Sequence, residues 1–180
     1  MKQVQVDDKK FSVSIPAKQI DEAVQKVADR INTELQGTNP LFLVVLNGAF
    51  MFASDLVKKI TIPCEISFVK LSSYVGTKST STVRELIGLD EVLVDRTIVI
   101  VEDIIDTGLT MGVTMNKLRH LKAKQVKIAT LLYKPNAFQM DYPIDYIGME
   151  IPNDFIVGYG LDYNGYGRNL PDIYKIIEDE

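Results

Sequence analysis

The chain has 180 residues, 46% of them hydrophobic and 24% charged, which suits one domain with a sizeable buried core. Its net charge of −4 argues against a nucleic-acid partner, which would call for a basic face. One cysteine, Cys64, excludes a disulfide framework and a multi-cysteine metal cage, and one histidine, His120, makes a histidine triad or zinc site improbable.

After a polar start, residues 17–35 place Ile20, Val24, Val27, Ile31 and Leu35 at helical spacing, with Pro16 suited to the first turn. The run GTNP breaks the chain, and LFLVVL at 41–46 reads as a buried strand. Residues 50–60 read as a helix ending in Lys58 and Lys59, and 65–71 as a strand with Ile66, Phe68 and Lys70 on one face. Residues 72–84, SSYVGTKSTSTVR, have no periodicity and little to bury, so a mobile loop is expected. TIVIV at 97–101 is a β-branched run fit for a central strand covered on both faces. A helix over about 110–121 would bury Met111, Met115, Leu118 and Leu121, and 126–133 reads as another central strand. From Lys134 onward, prolines, tyrosines and glycines crowd into short extended pieces.

The expected architecture is therefore α/β: a mainly parallel sheet flanked by helices, with a small irregular lobe. No stretch approaches the roughly 20 apolar residues of a membrane span. The start MKQVQVDDKKF is too polar for a secretory signal, so no membrane partner and a cytoplasmic location are expected. Cys64, in IPCEISFVKL, reads as a small core residue, and His120, in KLRHLKAK, as a surface residue compatible with a helix C-terminus.

The most informative segment is VIVEDIIDTGLTM, residues 99–111. Ligands of open parallel sheets bind beyond the carboxyl ends of the strands. The first turn of a helix offers unpaired N–H groups and the positive end of the dipole, which suits a phosphate. Asp106, Thr107, Gly108, Leu109 and Thr110 would form such a cradle, with Gly108 allowing close backbone approach. Glu102 and Asp103 would repel a phosphate, so they are expected to face sugar hydroxyls or a bound Mg²⁺. The competing reading is an ordinary turn in which Asp103 or Asp106 caps the helix. A second glycine turn, LNGAF at 46–50, could be another anion site at the same sheet edge or simply a structural turn.

VIVEDIIDTGLTM closely resembles the phosphoribosyl pyrophosphate motif of type I phosphoribosyltransferases, in the version found in hypoxanthine-guanine phosphoribosyltransferases. Further matches follow in order: LNGAFMFASDL, KLSSY, LLYKP and IPNDFIVGYGLDYNGYGRNLPDIYKI. The resemblance implies the type I phosphoribosyltransferase fold in a single domain over 1–180. Its core would span about 17–133, and its hood mainly 134–180 with the N-terminal segment. It also implies transfer of the phosphoribosyl group to hypoxanthine or guanine, giving IMP or GMP and pyrophosphate, with Mg²⁺ as cofactor and a homodimer or homotetramer as assembly.

Carried over by position, the resemblance gives Glu102 and Asp103 the ribose hydroxyls and Thr107 to Thr110 the 5′-phosphate. Asp106 would be the general base beside the purine's five-membered ring. Lys134 would donate to the 6-oxygen, Phe155 would stack on the purine, and Ile156 and Asp162 would meet its edge. Asp162 would also orient a second Mg²⁺, joining Glu102 and Asp103 as metal-associated residues. Arg168 would contact pyrophosphate, together with the Asn47-Gly48 loop, and Ser73 and Tyr74 would belong to a lid.

Four residues carry competing readings: Lys134 as a strand-end lysine, Phe155 as lobe packing, and Asp162 with Arg168 as a structural ion pair. Asn47 stands where the family often has lysine, and Leu109 where some members do; the family often has a cis non-proline peptide in the Asn47 loop. A non-catalytic sensor of phosphoribosyl pyrophosphate on the same fold is the alternative function. A kinase or NTPase lacks its G-x-x-x-x-G-K-[ST] signature.

Overall fold

The structure is a computed structural model that describes residues 2–74, 82–87 and 93–177, with side chains described outside 71–74 and 82–87. In chain order the elements are β1 (Gln3–Val6), β2 (Lys9–Ile15), α1 (Ala17–Glu34), β3 (Leu41–Leu46), α2 (Phe50–Lys59), β4 (Glu65–Tyr74) and β5 (Thr82–Ile87). There follow β6 (Thr97–Ile105), α3 (Leu109–His120), β7 (Gln125–Tyr133), β8 (Tyr146–Glu150), β9 (Ile156–Val157) and β10 (Ile173–Ile176).

The larger sheet runs β5-β4-β3-β6-β7-β8, with every pairing parallel except that of β4 with β5. Alternation along the strands decides which helix each side chain meets. Phe42, Val44, Val99, Val101 and Ala129 pack with Ile20, Val24, Val27 and Ile31 of α1 and Phe52 and Leu56 of α2. On the opposite face Leu41, Leu43, Val45, Ile98, Ile100 and Ile128 pack with Met111, Met115 and Leu118 of α3. Strands covered on both faces need no polar positions, which is why β3 and the start of β6 are unbroken apolar runs.

The smaller sheet is antiparallel, in the order β1-β2-β10-β9, so it joins the two ends of the chain. Val6, Phe11, Val157 and Tyr174 fill its own core. A tie to the larger unit comes from Asp172, just before β10. Helix α1 begins after Pro16 without a side-chain cap of its own, and Asp172 Oδ1 accepts the Ala17 N–H at 2.8 Å.

Several expectations need correction. Residues 72–84 are not one irregular loop: β4 continues to Tyr74 and β5 begins at Thr82, with Ser73 opposite Val83 and Tyr74 opposite Thr82. The middle of the expected lid, 75–81, lies outside the described residues. Leu121 is 41% exposed because α3 ends at His120 and Leu121 is its C-cap. Ile66 and Phe68 lie on an open face of β4, since the helices pack over β3, β6, β7 and β8, and among the described side chains of β4 the buried one is Val69. The segment after Lys134 first supplies β8 to the larger sheet before the smaller one forms.

Candidate active site

Strand β6 outlasts its neighbour β3. Their pairing stops at Val44 with Val101, while β6 stays paired to β7 as far as Ile105 with Tyr133. Glu102 and Asp103 therefore sit on a stretch with one free edge, and the β6–β7 register skips Asp103. Asp103 is 8% exposed, and its Oδ1 accepts the Ile104 N–H at 2.8 Å. Burial pushes the Asp103 carboxyl above its usual range, although the Ile104 N–H and the charge of Arg168 pull the other way. Glu102 is held well above its ordinary value, by burial and then by the neighbouring Asp103. Two carboxyls raised together form a site short of positive charge.

Beyond β6, Thr107 and Gly108 make the turn into α3. Gly108 is the N-cap at φ +81°, a conformation that suits glycine, and the first turn of α3 holds no acidic side chain and no side-chain cap. Within that turn the Leu109 N–H donates to Thr107 Oγ1 at 3.5 Å, a long bond that an anion at the dipole end could replace. A cleft of about 180 Å³ opens here, lined by Glu102, Asp106, Thr107, Gly108, Leu109 and Thr110 among others. At its rim Lys134 Nζ, on a largely buried lysine, lies 3.1 Å from Asp106 Oδ2, whose side chain is half exposed.

On the free edge of β6 the residues are stacked through glycines. A methyl group on Gly48 would fall on the Asp103 carboxylate, and one on Gly160 would fall on the Gly48 carbonyl. Arg168 donates to the Gly160 carbonyl at 2.7 Å and pairs with Asp162 at 2.6 Å. The other Asp162 oxygen accepts the Gly165 N–H at 2.7 Å. The 46–50 turn, the end of β6 and the 158–168 segment are therefore in direct contact.

The phosphoribosyl transferase domain pattern matches residues 16–164. The chain belongs to the phosphoribosyltransferase family. It is 42% identical over 162 residues to the hypoxanthine-guanine phosphoribosyltransferase of Bacillus subtilis, covering 89% of this chain and 90% of that one. It is 41% identical over 160 residues to the enzyme of the same name from Lactococcus lactis, covering 88% and 87%. A crystal structure of a hypoxanthine phosphoribosyltransferase from Staphylococcus aureus superposes with a TM-score of 0.88 at 35% identity, covering 92% of this chain and 91% of that one. The resemblance to the hypoxanthine-guanine branch, and the fold it implied, are borne out.

Against this phosphoribosyltransferase frame, one cleft holds Glu102, Asp106, Thr107, Gly108, Leu109 and Thr110, with Lys134 joined to it through Asp106. Asn47, Gly48, Asp103, Asp162 and Arg168 form a second connected group through Gly48 and Gly160. The cis peptide of the 46–50 loop is the Leu46–Asn47 bond. Phe155 and Ile156 stand on the smaller sheet. The Phe155 ring is 48% exposed and meets Tyr163 edge-on at 5.8 Å, with the buried Phe11 at 6.3 Å. Ser73 and Tyr74 end β4, opposite Val83 and Thr82 of β5.

Two features escape sequence reading. Tyr159 donates to Asp55 of α2 at 2.6 Å, fastening the Gly158–Gly160 turn to the helix that follows the Asn47 loop. Phe138, Met140 and Tyr142 cover Gly108 from outside the cleft. Both are contacts between residues far apart in sequence, and nothing local signals them.

Proposed function

We propose that this phosphoribosyltransferase transfers the ribosyl phosphate of phosphoribosyl pyrophosphate to hypoxanthine or guanine, releasing IMP or GMP and pyrophosphate. The observation that carries this reading is the Asp106–Lys134 pair beside the N-terminus of α3, whose first turn holds no acidic side chain. A phosphate at the helix end sets the sugar over Glu102 and Asp103. The anomeric carbon would then lie toward a carboxylate and an ammonium that suit the two polar ends of an oxopurine. Asp106 would take the proton from the five-membered ring, and Lys134 would donate to the 6-oxygen and disfavour adenine, whose amino group presents donors. Phe155 offers an exposed ring face to the base, with the backbone at Ile156 and Asp162 meeting its edge.

Bond cleavage at the anomeric carbon passes through an oxocarbenium-like transition state, so the developing cation must be shielded from water. Closure by the segment containing Ser73 and Tyr74 would serve that end. Arg168 and the backbone of Asn47 and Gly48 would receive the pyrophosphate, and Arg168 would swing from Asp162 to do so.

The donors fit a divalent cation. Glu102 and Asp103 are adjacent hard oxygen ligands, and neither forms an ion pair among the described residues. Mg²⁺ held there, in company with the ribose hydroxyls, would neutralise charge on the departing pyrophosphate. Asp162 could join a second ion only by releasing Arg168 or Gly165. We further propose that the chain works as one domain over 1–180, in the cytoplasm, as a homodimer or homotetramer. Ile66 and Phe68, 44% and 46% exposed on one face of β4, are the natural apolar contact for a second copy.

The test is a base panel. With Mg²⁺ and phosphoribosyl pyrophosphate, hypoxanthine and guanine should release pyrophosphate while adenine does not, and chelation by EDTA should stop turnover until Mg²⁺ is restored. Turnover with adenine alone would overturn the assignment of Lys134, and no turnover with any base would favour a ligand sensor.

A further inference from the structure

The phosphate cradle is braced from outside by a loop that no sequence motif singles out. Tyr142 Oη–H donates to the Gly108 carbonyl at 2.5 Å, and the Gln139 N–H donates to the Thr107 carbonyl at 3.1 Å. The Gly108 carbonyl also receives the first helical bond of α3, from the Gly112 N–H at 2.9 Å, so both of its lone pairs are used. A peptide unit is planar and trans, so its N–H points away from its C=O. Tying the carbonyls of Thr107 and Gly108 to the 134–142 loop therefore turns the N–H groups of Gly108 and Leu109 the opposite way.

The brace is built into packed structure. A methyl group on Gly108 would lie 2.5 Å from Phe138 Cε2 and 2.7 Å from Tyr142 Oη, so ring and hydroxyl sit directly on the glycine. Tyr142 meets Phe138 edge-on at 5.3 Å, and Phe138 meets Tyr133 edge-on at 5.4 Å. Tyr133 immediately precedes Lys134. Burial pushes the Tyr142 hydroxyl up to about 12, so it remains a donor at neutral pH.

We infer that Tyr142 is a positioning residue of the 5′-phosphate site, holding Gly108 in the left-handed conformation that aims the α3 N-terminus at the phosphate. This rests on the phosphate cradle proposed above. Tyr142 touches no substrate; it acts through the Gly108 peptide.

The test is Tyr142→Phe, which removes the hydroxyl and keeps the ring, with Phe138→Leu as a packing control that keeps the hydroxyl. Binding of ribose 5-phosphate and of Mg²⁺-pyrophosphate would be measured by calorimetry on each protein, with Tm alongside. Loss of one hydrogen bond should weaken ribose 5-phosphate binding by about three- to tenfold in Tyr142→Phe. Pyrophosphate affinity should stay near that of the wild type, and KM for phosphoribosyl pyrophosphate should rise more than KM for hypoxanthine. Phe138→Leu should lower Tm and weaken ribose 5-phosphate binding less than Tyr142→Phe does. Equal ribose 5-phosphate affinity in Tyr142→Phe and wild type would overturn the inference, as would the same loss in Phe138→Leu. Failure of the wild type itself to bind ribose 5-phosphate would overturn the cradle, and this inference with it.

Discussion

Gly48→Ala is the substitution most directly tied to how the site is assembled. Gly48 does not have a positive φ, so alanine suits its backbone and any effect must come from space. The added methyl would lie 2.6 Å from Asp103 Cγ and 3.1 Å from its Oδ1, both inside ordinary contact distance. Two escapes exist. Asp103 can rotate, giving up the 2.8 Å bond from the Ile104 N–H inside a buried pocket, or the turn can lift, pushing the Gly48 carbonyl against Gly160. Overpacking costs about 1–3 kcal/mol, and losing a hydrogen bond to a charged group about 1.5–3 kcal/mol. A cost of about 3 kcal/mol should lower Tm by about 6–12 °C in a protein of this size. Differential scanning calorimetry would measure it, with phosphoribosyl pyrophosphate KM read in parallel and expected to rise. Gly37→Ala is the control: Gly37 has φ +77° with open space around it, so a small Tm loss with unchanged kinetics is expected. Adding Asp103→Ala to Gly48→Ala should relieve the clash, so that the two stability losses fall short of their sum. A Gly48→Ala protein within about 2 °C of wild type, with normal KM, would refute the contact between Gly48 and Asp103.

Asp106→Asn should lower kcat by about 100-fold or more while Kd for phosphoribosyl pyrophosphate changes little, since a general base acts on the proton and not on the sugar phosphate; rapid-mix and binding measurements separate the two. Lys134→Met should narrow the preference for hypoxanthine over adenine, read as the ratio of kcat/KM values. Asp172→Ala should cost about 1 kcal/mol through loss of the α1 cap, or about 2–4 °C in Tm near neutral pH. Hydrogen bonds from Lys2 and the Ala17 N–H hold the Asp172 carboxyl below its ordinary 3.8. A depressed carboxyl stabilises the fold above its unfolded pKa, and that stability disappears as pH falls through the folded one. The Tm gap between wild type and Asp172→Ala should therefore close below pH 3.8.

The parts of the fold that were legible in the sequence are those governed by local periodicity. Ile20, Val24, Val27 and Ile31 locate α1, and LFLVVL and TIVIV locate interior strands, because burial on one stripe or on both faces leaves a pattern in the residues themselves. The turn at 106–110 into α3 was legible for a similar reason: turn chemistry, glycine and helix start are contiguous. Three things were not legible. β5 and the end of β4 lie at the sheet edge in a polar stretch of sequence with no strand period. Leu121 fits the helical spacing, yet the helix stops one residue before it. The contacts of Tyr142 with Gly108, Tyr159 with Asp55 and Asp172 with Ala17 span 34, 104 and 155 positions, and no window along the chain records them.

The site sits where sheet pairing runs out. Had β3 stayed paired with β6 to its end, Asp103 would lie within a closed ladder with no approach from the β3 side. Instead β3 departs through the 46–50 turn, and the space it leaves is filled by Gly48 against Asp103 and Gly160 against Gly48. Any side chain at either glycine would separate the turn from the acids. Burial raises the Glu102 and Asp103 carboxyls, so a cation with sugar hydroxyls would favour their charged forms, whereas the neighbouring α3 N-terminus favours an anion. A ligand with a diol at one point and a phosphate at another satisfies both ends at once. Neither a free phosphate nor a free metal ion would do so alone, so under the function proposed above this electrostatic division would favour a sugar phosphate before any contact with the base is considered.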